Sequence, residues 1–299
     1  MDKNFKSGFA AIIGMPNVGK STLLNAAVGQ KIAIISDKPQ TTRNKILAIY
    51  NDESSQIIFT DTPGIHKPHN RLGEMMVRSA KESMNDNDIL IMVVDASRPV
   101  QETERDIAES IKKTGLRSIL VINKVDVVKK DSLLPLIADY SNLNDFDAIV
   151  PVSAKTGDGV GLLIDEIKIL LESGPQYYYD DMITDQPEKQ LAAEIIREKM
   201  LWLLDKEVPH GIAIEIEKMQ EKESITAINA VIYCEKDTHK GIIIGKNGEM
   251  LKRIGALART DIEKMLDKKV YLELWVRVKK DWRNNNYLLK NFGFVQSGE

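Results

Sequence analysis

The feature that most limits the fold is the octapeptide GMPNVGKS at residues 14–21. It follows an apolar run typical of a buried strand, FAAIIG, and precedes a pattern typical of a helix, STLLNAAVG. In that context the loop predicts a phosphate site, because N–H groups at a helix N-terminus face the phosphate oxygens, the lysine neutralises their charge, and the serine hydroxyl is a ligand for Mg²⁺. The predicted phosphate-binding residues are Gly14, Met15, Pro16, Asn17, Val18, Gly19, Lys20, Ser21 and Thr22.

The pattern along the chain predicts two domains of different class. Up to residue 173, short apolar runs alternate with helix-like stretches, which is typical of a mostly parallel sheet with helices on both faces. Residues 174–188 carry two prolines, a glycine and acidic turn formers, and we interpret them as a linker. Residues 189–299 then follow the order helix, strand, strand, helix, glycine loop, helix, strand. This order predicts a smaller α+β domain with a C-terminal tail.

Three short motifs end further predicted strands of the first domain. In DTPG a carboxylate can hold Mg²⁺ through water and a glycine N–H can meet a terminal phosphate. In NKVD an aspartate can accept two hydrogen bonds from guanine, and in SAK a backbone N–H can meet the guanine oxygen. Because α/β sheets bind ligands at the carboxyl ends of their strands, the motifs together predict a guanine nucleotide site. The predicted residues are Asp61, Gly64, Asn123, Lys124, Asp126, Ser153, Ala154 and Lys155.

These four motifs resemble those of the translational and Ras-like P-loop GTPases. The resemblance implies that GTP and GDP bind with Mg²⁺, and that PQTTR at residues 39–43 holds the threonine that reaches the metal in the GTP state. Thr42 is the favoured ligand and Thr41 is the alternative. The implied metal ligands are Ser21, Thr42 and Asp61, and the implied catalytic residues are Lys20, Thr42, Gly64 and Asn17.

One position departs from the Ras-like pattern. Ile65 stands where Ras-like members have a glutamine that orients the attacking water, so help for hydrolysis has to come from elsewhere. Asn17 lies where related GTPases with this substitution coordinate K⁺ beside the transferred phosphate, which makes K⁺ a possible further cofactor. A turn-stabilising role for Asn17 remains the alternative.

The second glycine loop, GIIIGKNGEM at residues 241–250, lacks the G-K-[ST] ending of a nucleoside triphosphate loop. Residues 236–290 hold 14 Lys and Arg against 7 Asp and Glu, so the loop lies in a basic stretch of a chain whose net charge is −3. The loop and its order of elements resemble a type II KH domain, in which the G-x-x-G backbone holds about four nucleotides of single-stranded RNA. The predicted RNA-binding residues are Gly245, Lys246, Asn247, Gly248, Lys252 and Arg253.

A GTPase domain followed by a type II KH domain resembles the Era family of GTPases over essentially the whole chain. That resemblance implies assembly of the small ribosomal subunit as the function and rRNA near its 3′ end as the partner. It also implies that GTP controls binding. We expect the protein to be a monomer. Two alternatives are an RNA-bound scaffold with negligible hydrolysis and a regulatory GTPase at the membrane.

The cysteine content and the length of the apolar runs indicate the cellular compartment of the protein. The single cysteine, Cys234, cannot form an internal disulfide, and apolar runs such as ILIMVV are far shorter than a membrane span. We therefore expect a cytoplasmic protein, with peripheral contact at the inner face of the cell membrane as a secondary possibility. Among the aromatic residues, Trp202 is expected in the core, Trp275 is a further candidate for the core, and Trp282 is weighed as an RNA contact.

Overall fold

The computed structural model describes residues 5–294. The described chain forms two compact units, each with its own hydrophobic core. The first unit contains residues 5–35, 42–68 and 76–185, and the second contains residues 36–41, 69–75 and 186–294. The chain passes from one unit to the other five times, at residues 35/36, 41/42, 68/69, 75/76 and 185/186, and the fourth of these crossings lies inside one helix.

The first unit is built on a six-stranded sheet in the order β2-β3-β1-β4-β5-β6. Its strands are β1 (Lys6–Ile13), β2 (Ile46–Asn51), β3 (Ser55–Asp61), β4 (Ile89–Asp95), β5 (Arg117–Asn123) and β6 (Ala148–Val152). Its helices are α1 (Lys20–Val28), α2 (Arg71–Glu82), α3 (Glu102–Thr114), α4 (Leu133–Ser141) and α5 (Val160–Leu170), of which α2 spans the division. Only β2 pairs antiparallel, so the sheet is mostly parallel, as predicted.

Strand β1 shows why both faces of this sheet are covered. Ala10 and Ile12 face one buried cluster, whereas Ala11 and Ile13 face the other, and all four are fully buried. Side chains of a strand alternate between faces, so a continuous apolar run requires apolar partners on both sides. Helices α1 and α5 supply residues to the first cluster, and α2, α3 and α4 supply residues to the second.

The segment after α5 is hydrogen-bonded to the edge of the first sheet. The carbonyl of Ile183 accepts from the Ile49 N–H at 2.9 Å, and the Thr184 hydroxyl donates to the Leu47 carbonyl at 2.5 Å. The Gln56 side-chain carbonyl accepts from the Tyr177 N–H at 2.7 Å. Residues 174–185 therefore belong to the first unit, although they contain no helix or strand.

The second unit has a three-stranded sheet in the order β7-β8-β9. Its strands are β7 (Ile212–Glu221), β8 (Ile225–Cys234) and β9 (Lys269–Val278), and its helices are α6 (Glu188–Leu203), α7 (Asp237–Ile244), α8 (Glu249–Leu266) and α9 (Asn286–Asn291). β8 pairs antiparallel with β7 and parallel with β9. Apolar residues of α6 and α8, including Ile196, Met200, Ile254 and Ile262, pack with the sheet in one core. This is the predicted type II KH order.

Two of the three tryptophans are more exposed than the sequence indicates, and the third is fully buried. Trp202 is 51% exposed and Trp275 is 55% exposed, so neither is a core residue. The Lys199 ammonium lies 3.8 Å from the centroid of the Trp202 ring, a cation–π contact. Trp282 is fully buried, donates its indole N–H to the Gly211 carbonyl at 3.0 Å, and stacks on Phe294. Trp282 is therefore a structural residue and is not available to RNA.

The single cysteine lies at the end of β8. Cys234 is fully buried in the core of the second unit, and its sulfur contacts the carbonyls of Lys236 and Arg277 at 3.6 and 3.7 Å. Burial raises the pKa of the Cys234 thiol, so the thiol is neutral in the folded protein.

Candidate nucleotide and RNA sites

The residues of the four nucleotide motifs meet at one edge of the first sheet. The strand register places Ile12 beside Asp61, Asp95 beside Asn123, and Asn123 beside Val152. These positions end neighbouring parallel strands, so the loops that follow them converge. The structure thus brings residues from all four motifs together, although they are separated by more than 100 residues of sequence.

Two glycines of the first loop are required by close backbone approach. A Cβ on Gly14 would lie 2.4 Å from the Val93 carbonyl oxygen, and a Cβ on Gly19 would lie 2.3 Å from the Asn123 amide nitrogen. Gly19 also has φ of 96°, a region that favours glycine. Between them the Val18 side chain is buried in the core. These contacts and the buried Val18 side chain therefore hold the loop against the core. Helix α1 begins directly after it at Lys20, and the N–H groups of its first turn face the site.

Lys20 lies buried at the centre of the loop. Its ammonium donates to the Gly14 carbonyl at 3.2 Å and to the Met15 carbonyl at 3.0 Å. Burial lowers the pKa of Lys20 to about 8, and the charge of Asp61 opposes that shift. A cation that is removed from water in this way is strongly stabilised by a nearby anion, and a lysine that binds phosphate needs this property.

Ser21, Thr42 and Asp61 form a cluster of oxygens that fits Mg²⁺. The Ser21 hydroxyl is 2.8 Å from the Thr42 hydroxyl and donates to Asp61 Oδ2 at 2.7 Å, and the Thr42 hydroxyl is 3.2 Å from the same oxygen. Neighbouring ligands of an octahedral Mg²⁺ with bonds of about 2.1 Å lie roughly 3 Å apart, which matches the separation of the two hydroxyls, and Asp61 lies beside both, where its carboxylate can hold a water of the ion.

Asp61 provides a second indication of a cation site. It is fully buried, and its Oδ1 has no hydrogen-bond partner among the described residues. Burial raises the pKa of Asp61, while the nearby charge of Lys20 opposes the rise. An orphaned buried carboxylate oxygen is costly unless a cation or a bound water satisfies it. The donor set therefore fits the predicted metal.

The two threonines of the PQTTR segment have different partners. The Thr41 hydroxyl donates to the Lys38 carbonyl at 2.6 Å and so closes a turn within its own segment. The Thr42 hydroxyl points to Ser21 and Asp61, and Thr42 is buried. The geometry thus favours Thr42 over Thr41 as the metal ligand.

The DTPG segment lies directly against the first loop. A Cβ on Gly64 would lie 2.7 Å from the Pro16 nitrogen, so only glycine allows this approach. The Ile65 N–H donates to the Gly14 carbonyl at 3.1 Å, and the Ile65 side chain packs into the second cluster of the first unit. Ile65 therefore has a structural place and no group that could orient water.

The residues predicted to read guanine lie in two connected loops. Asp126 is exposed, and its Oδ1 accepts from the Ser153 hydroxyl at 2.7 Å. The buried Asn123 side chain donates to the Val18 carbonyl at 2.8 Å and accepts from the Ala154 N–H at 3.0 Å. Asn123 thus connects the phosphate loop to the SAK loop, and in this structure the Ala154 N–H is engaged by that side chain. Lys155 is exposed beside them.

Sequence reasoning missed Asp95, which ends β4. Lys124 donates to Asp95 Oδ2 at 2.6 Å and to the Asn17 carbonyl at 2.7 Å, so Asp95 holds the lysine that spans the phosphate loop. Burial would raise the pKa of Asp95, but the hydrogen bonds from Lys124 and Ser97 lower it overall. The only available signal was its position at the carboxyl end of a strand.

The second glycine loop presents exposed backbone and positive charge. Gly245 and Gly248 have φ of 73° and 78°, and Asn247 has φ of 52°. A Cβ on Gly245 would lie 2.7 Å from the Met250 Cβ, whereas no atom lies within 4 Å of a Cβ on Gly248. The open side at Gly248 leaves room for a ligand against the N-terminus of α8. The exposed side chains around it belong to Lys246, Asn247, Lys252 and Arg253.

Both halves of the chain match known protein families. A family model described as "50S ribosome-binding GTPase" matches residues 9–124, and a KH domain model matches residues 207–283. The chain is 51% identical over 292 residues to GTPase Era of Ruminiclostridium cellulolyticum, covering 97% of this chain and 98% of the relative. It is 53% identical over 293 residues to GTPase Era of Clostridioides difficile, covering 97% and 99%.

Two solved structures are similar over the same extent. One is a variant of Aquifex aeolicus Era bound to GDP·AlF4⁻, with a TM-score of 0.94 and 40% identity, covering 97% of this chain and 100% of that one. The other is Era in complex with MgGDPNP and nucleotides 1506–1542 of 16S ribosomal RNA, also with a TM-score of 0.94 and 40% identity, covering 97% and 99%.

Proposed function

Because the chain belongs to the Era family of GTPases, we propose that it is a GTP-hydrolysing, RNA-binding protein that acts in assembly of the small ribosomal subunit. The observation that carries this proposal is the convergence of all four nucleotide motifs at one sheet edge, in a chain that also has a KH loop with an open backbone. The solved complex of a relative with MgGDPNP and 16S rRNA supports the same pairing of ligands.

In the nucleotide site the first loop and Lys20 hold the β and γ phosphates. Asp126 accepts hydrogen bonds from the guanine ring, while Ser153 fixes its carboxylate. The hydroxyls of Ser21 and Thr42 and the carboxylate of Asp61 would hold Mg²⁺, which when bound neutralises charge on the phosphates. Asn123 connects the phosphate loop to the SAK loop through Val18 and Ala154. Asp95 holds Lys124, which contacts the phosphate loop.

Hydrolysis of GTP to GDP and phosphate proceeds without a side chain at position 65 that orients water. Lys20 stabilises charge that develops on the transferred phosphate, and the Gly64 N–H lies where it can contact the same group. Asn17 is a proposed K⁺ ligand. Its backbone has φ of 64°, and Lys124 donates to its carbonyl at 2.7 Å.

The KH unit binds a single-stranded segment of small-subunit rRNA near its 3′ end. The backbone of residues 245–248 contacts the sugar–phosphate strand, and Lys246, Lys252 and Arg253 supply charge. Nucleotide state controls the encounter, with the GTP form binding RNA more tightly. The protein acts as a monomer.

The proposed compartment is the cytoplasm, since ribosomal RNA is the proposed partner. Within residues 5–294 no helix has both the length and the apolar character required to cross a bilayer. Peripheral contact with the inner face of the cell membrane is a secondary proposal. Flotation with vesicles of anionic lipid, in the presence and absence of the RNA, tests it.

The substitution Gly248→Asp tests the proposed RNA site. It places a carboxylate where a phosphate approaches the backbone, so affinity for an RNA of the 3′-terminal small-subunit sequence should fall by at least about tenfold through charge repulsion and steric block. GTP and GDP affinity should not change. The measurements are fluorescence anisotropy with labelled RNA and calorimetric titration with nucleotide.

Gly293→Asp is the matched control for this test. Gly293 also has φ of 78° and open space at its Cβ, so the backbone cost is the same, but it lies outside the loop. Equal RNA affinity for the Gly248→Asp variant and its control would contradict the RNA site. Absence of phosphate release from GTP by the wild-type protein would instead favour a scaffold role.

A further inference from the structure

Lys124 joins the two parts of the first unit that would hold opposite ends of a guanine nucleotide. Its ammonium donates to the Asn17 carbonyl in the phosphate loop at 2.7 Å. Its own carbonyl accepts from the Val127 N–H at 3.2 Å, which closes the turn that carries Asp126, the proposed guanine reader. A single residue therefore connects the phosphate loop to the turn that binds the base.

The backbone of Lys124 has an uncommon conformation. Its φ is 65° and its ψ is 36°, in the left-handed region that residues with a Cβ rarely adopt. Such a conformation persists only where contacts with the surrounding structure stabilise it. The contact of the Lys124 ammonium with Asp95 is of this kind.

Asp95 is a buried carboxylate that faces this ammonium. Its side chain is 2% exposed, whereas that of Lys124 is 33% exposed. Asp95 Oδ2 accepts from Lys124 at 2.6 Å, and Oδ1 accepts from the Ser97 hydroxyl at 2.6 Å and from the Ser97 N–H at 3.0 Å. Burial acts to raise the pKa of Asp95, but these hydrogen bonds lower it overall. The carboxylate is therefore charged at neutral pH, and Ser97 orients it.

The sheet places Asp95 next to the start of the turn. Asp95 ends β4 and lies beside Asn123, the residue before Lys124, in the parallel pairing of β4 with β5. The Ala96 N–H donates to the Asn123 carbonyl at 2.8 Å and continues this pairing past the end of β4. A buried carboxylate without a cation is costly. This cost favours the arrangement in which the Lys124 ammonium stays between Asp95 and Asn17.

We propose that Asp95 is a positioning residue that holds Lys124 as a bridge between the phosphate loop and the turn of Asp126, and that its charge thereby sets how long GDP and GTP stay bound. This inference rests on the proposed function and adds a residue that lies outside the four motifs. A nucleotide held by both loops leaves when one loop moves away from it, and the bridge opposes that movement. Because GDP and GTP share the base and the β phosphate, the effect is the same for both.

The test is a double-mutant cycle with Asp95→Asn and Lys124→Met in the full chain. The dissociation rates of fluorescent GDP and of a fluorescent non-hydrolysable GTP analogue are measured in Mg²⁺. Asp95→Asn keeps the shape of the side chain and an acceptor for Ser97, but removes the charge. It should accelerate dissociation of both nucleotides by about 10-fold or more, the lower end of what a hydrogen bond between charged groups contributes. In the Lys124→Met background the same substitution should change neither rate by more than about 2-fold.

Single-turnover hydrolysis separates positioning from damage to the whole site. Lys20, Thr42 and Gly64 are not part of the bridge, so Asp95→Asn should leave the hydrolysis rate of bound GTP within about 2-fold of the wild-type rate. This rate is measured in Na⁺, because Asn17, the proposed K⁺ ligand, is itself part of the bridge.

Three further variants keep the test decisive if Asp95→Asn folds poorly. Ser97 is exposed, and Ser97→Ala should accelerate dissociation of both nucleotides by about 3-fold, a smaller effect because the N–H of residue 97 still holds the carboxylate. Arg98→Ala removes a half-exposed cation that lies 3.6 Å from Asp95, and should leave both rates unchanged. Asp88→Asn makes the same chemical change just before β4, where the carboxylate accepts from the Phe9 N–H at 2.8 Å, and should also leave both rates unchanged.

Four results would decide against the inference. The role of Asp95 would be merely structural if the effect of Asp95→Asn persisted in the Lys124→Met background, or if single-turnover hydrolysis slowed as much as dissociation accelerated. Equal acceleration by Arg98→Ala would assign the effect to the wrong cation. Unchanged dissociation in both Asp95→Asn and Ser97→Ala would show that the bridge does not limit release. A wild-type protein that binds neither nucleotide would instead refute the proposed function, so the two failures are distinguishable.

Discussion

Asn123 offers the most quantitative test of how the nucleotide site is built. Its side chain is 2% exposed and makes two hydrogen bonds with buried backbone, to the Val18 carbonyl at 2.8 Å and from the Ala154 N–H at 3.0 Å. Asn123→Ala leaves both backbone groups without that partner. Each unsatisfied buried group costs about 1–3 kcal/mol, so the free energy of unfolding should fall by about 2–6 kcal/mol.

The loss is large against a typical domain stability of about 5–15 kcal/mol. It should appear in urea unfolding of the nucleotide-free protein as a lower midpoint with an unchanged slope. GDP affinity should fall by more than about tenfold as well, because the phosphate loop and the SAK loop are no longer connected. Calorimetric titration with GDP, at a temperature where the variant is folded, measures this affinity.

Asn87→Ala is the matched control in the same unit. Asn87 is also buried, and its amide donates to the Ser83 carbonyl at 2.6 Å, at the amino end of β4, away from the nucleotide loops. Asn87→Ala should lower the free energy of unfolding by about 1 kcal/mol and leave GDP affinity unchanged. If Asn123→Ala and Asn87→Ala had equal effects on both stability and GDP affinity, the connecting role of Asn123 would be refuted.

Three other predictions concern the first unit. Asp126→Asn should weaken GTP and GDP by several kcal/mol and improve xanthine nucleotides, because an amide can donate to the xanthine 2-oxo group; unchanged GTP binding in calorimetry would contradict the role of Asp126. Phosphate release should be faster in K⁺ than in Na⁺, and Asn17→Ala should remove the difference; equal wild-type rates in both salts would argue against the ion. Lys168→Met should lower the free energy of unfolding by about 1 kcal/mol between about pH 4 and pH 10, where Lys168 and its partner Asp52 are both charged. The pKa of Asp52 is lowered and the pKa of Lys168 is raised in the folded protein, so the contribution of the pair is lost as pH falls below this range or rises above it. Urea unfolding measured across pH checks this.

The predictable part of the nucleotide site follows from a general rule of topology. Asp61 and Asn123 lie beside the phosphate loop because parallel strands end at one edge of the sheet, and short motifs mark those ends in the sequence. Asp95 ends β4 in the same way, but it has no motif of its own. Its role depends on the reach of Lys124, which only coordinates reveal.

The contacts of α6 and the tryptophans were not predictable for a different reason. Arg197 meets Thr41 across 156 residues of sequence, and no local pattern specifies such a pairing. Trp202 lies in an apolar stripe, yet it falls in the last turn of α6, where the helix face leaves the core. Trp282 lies among polar residues, which suggested exposure, but a hydrogen bond to Gly211 and stacking on Phe294 bury it.

The burial of Cys234 makes the second unit open to study by chemical labelling. A neutral thiol inside a β-sheet core is not alkylated while the sheet is intact, because the reactive species is the thiolate and the reagent has no access. The rate of iodoacetamide incorporation then measures how often β8 leaves the core, separately from unfolding of the first unit. It also follows that a cysteine introduced at an exposed position, such as 246, would be the only readily modified thiol, so a fluorophore could be attached there without removing Cys234.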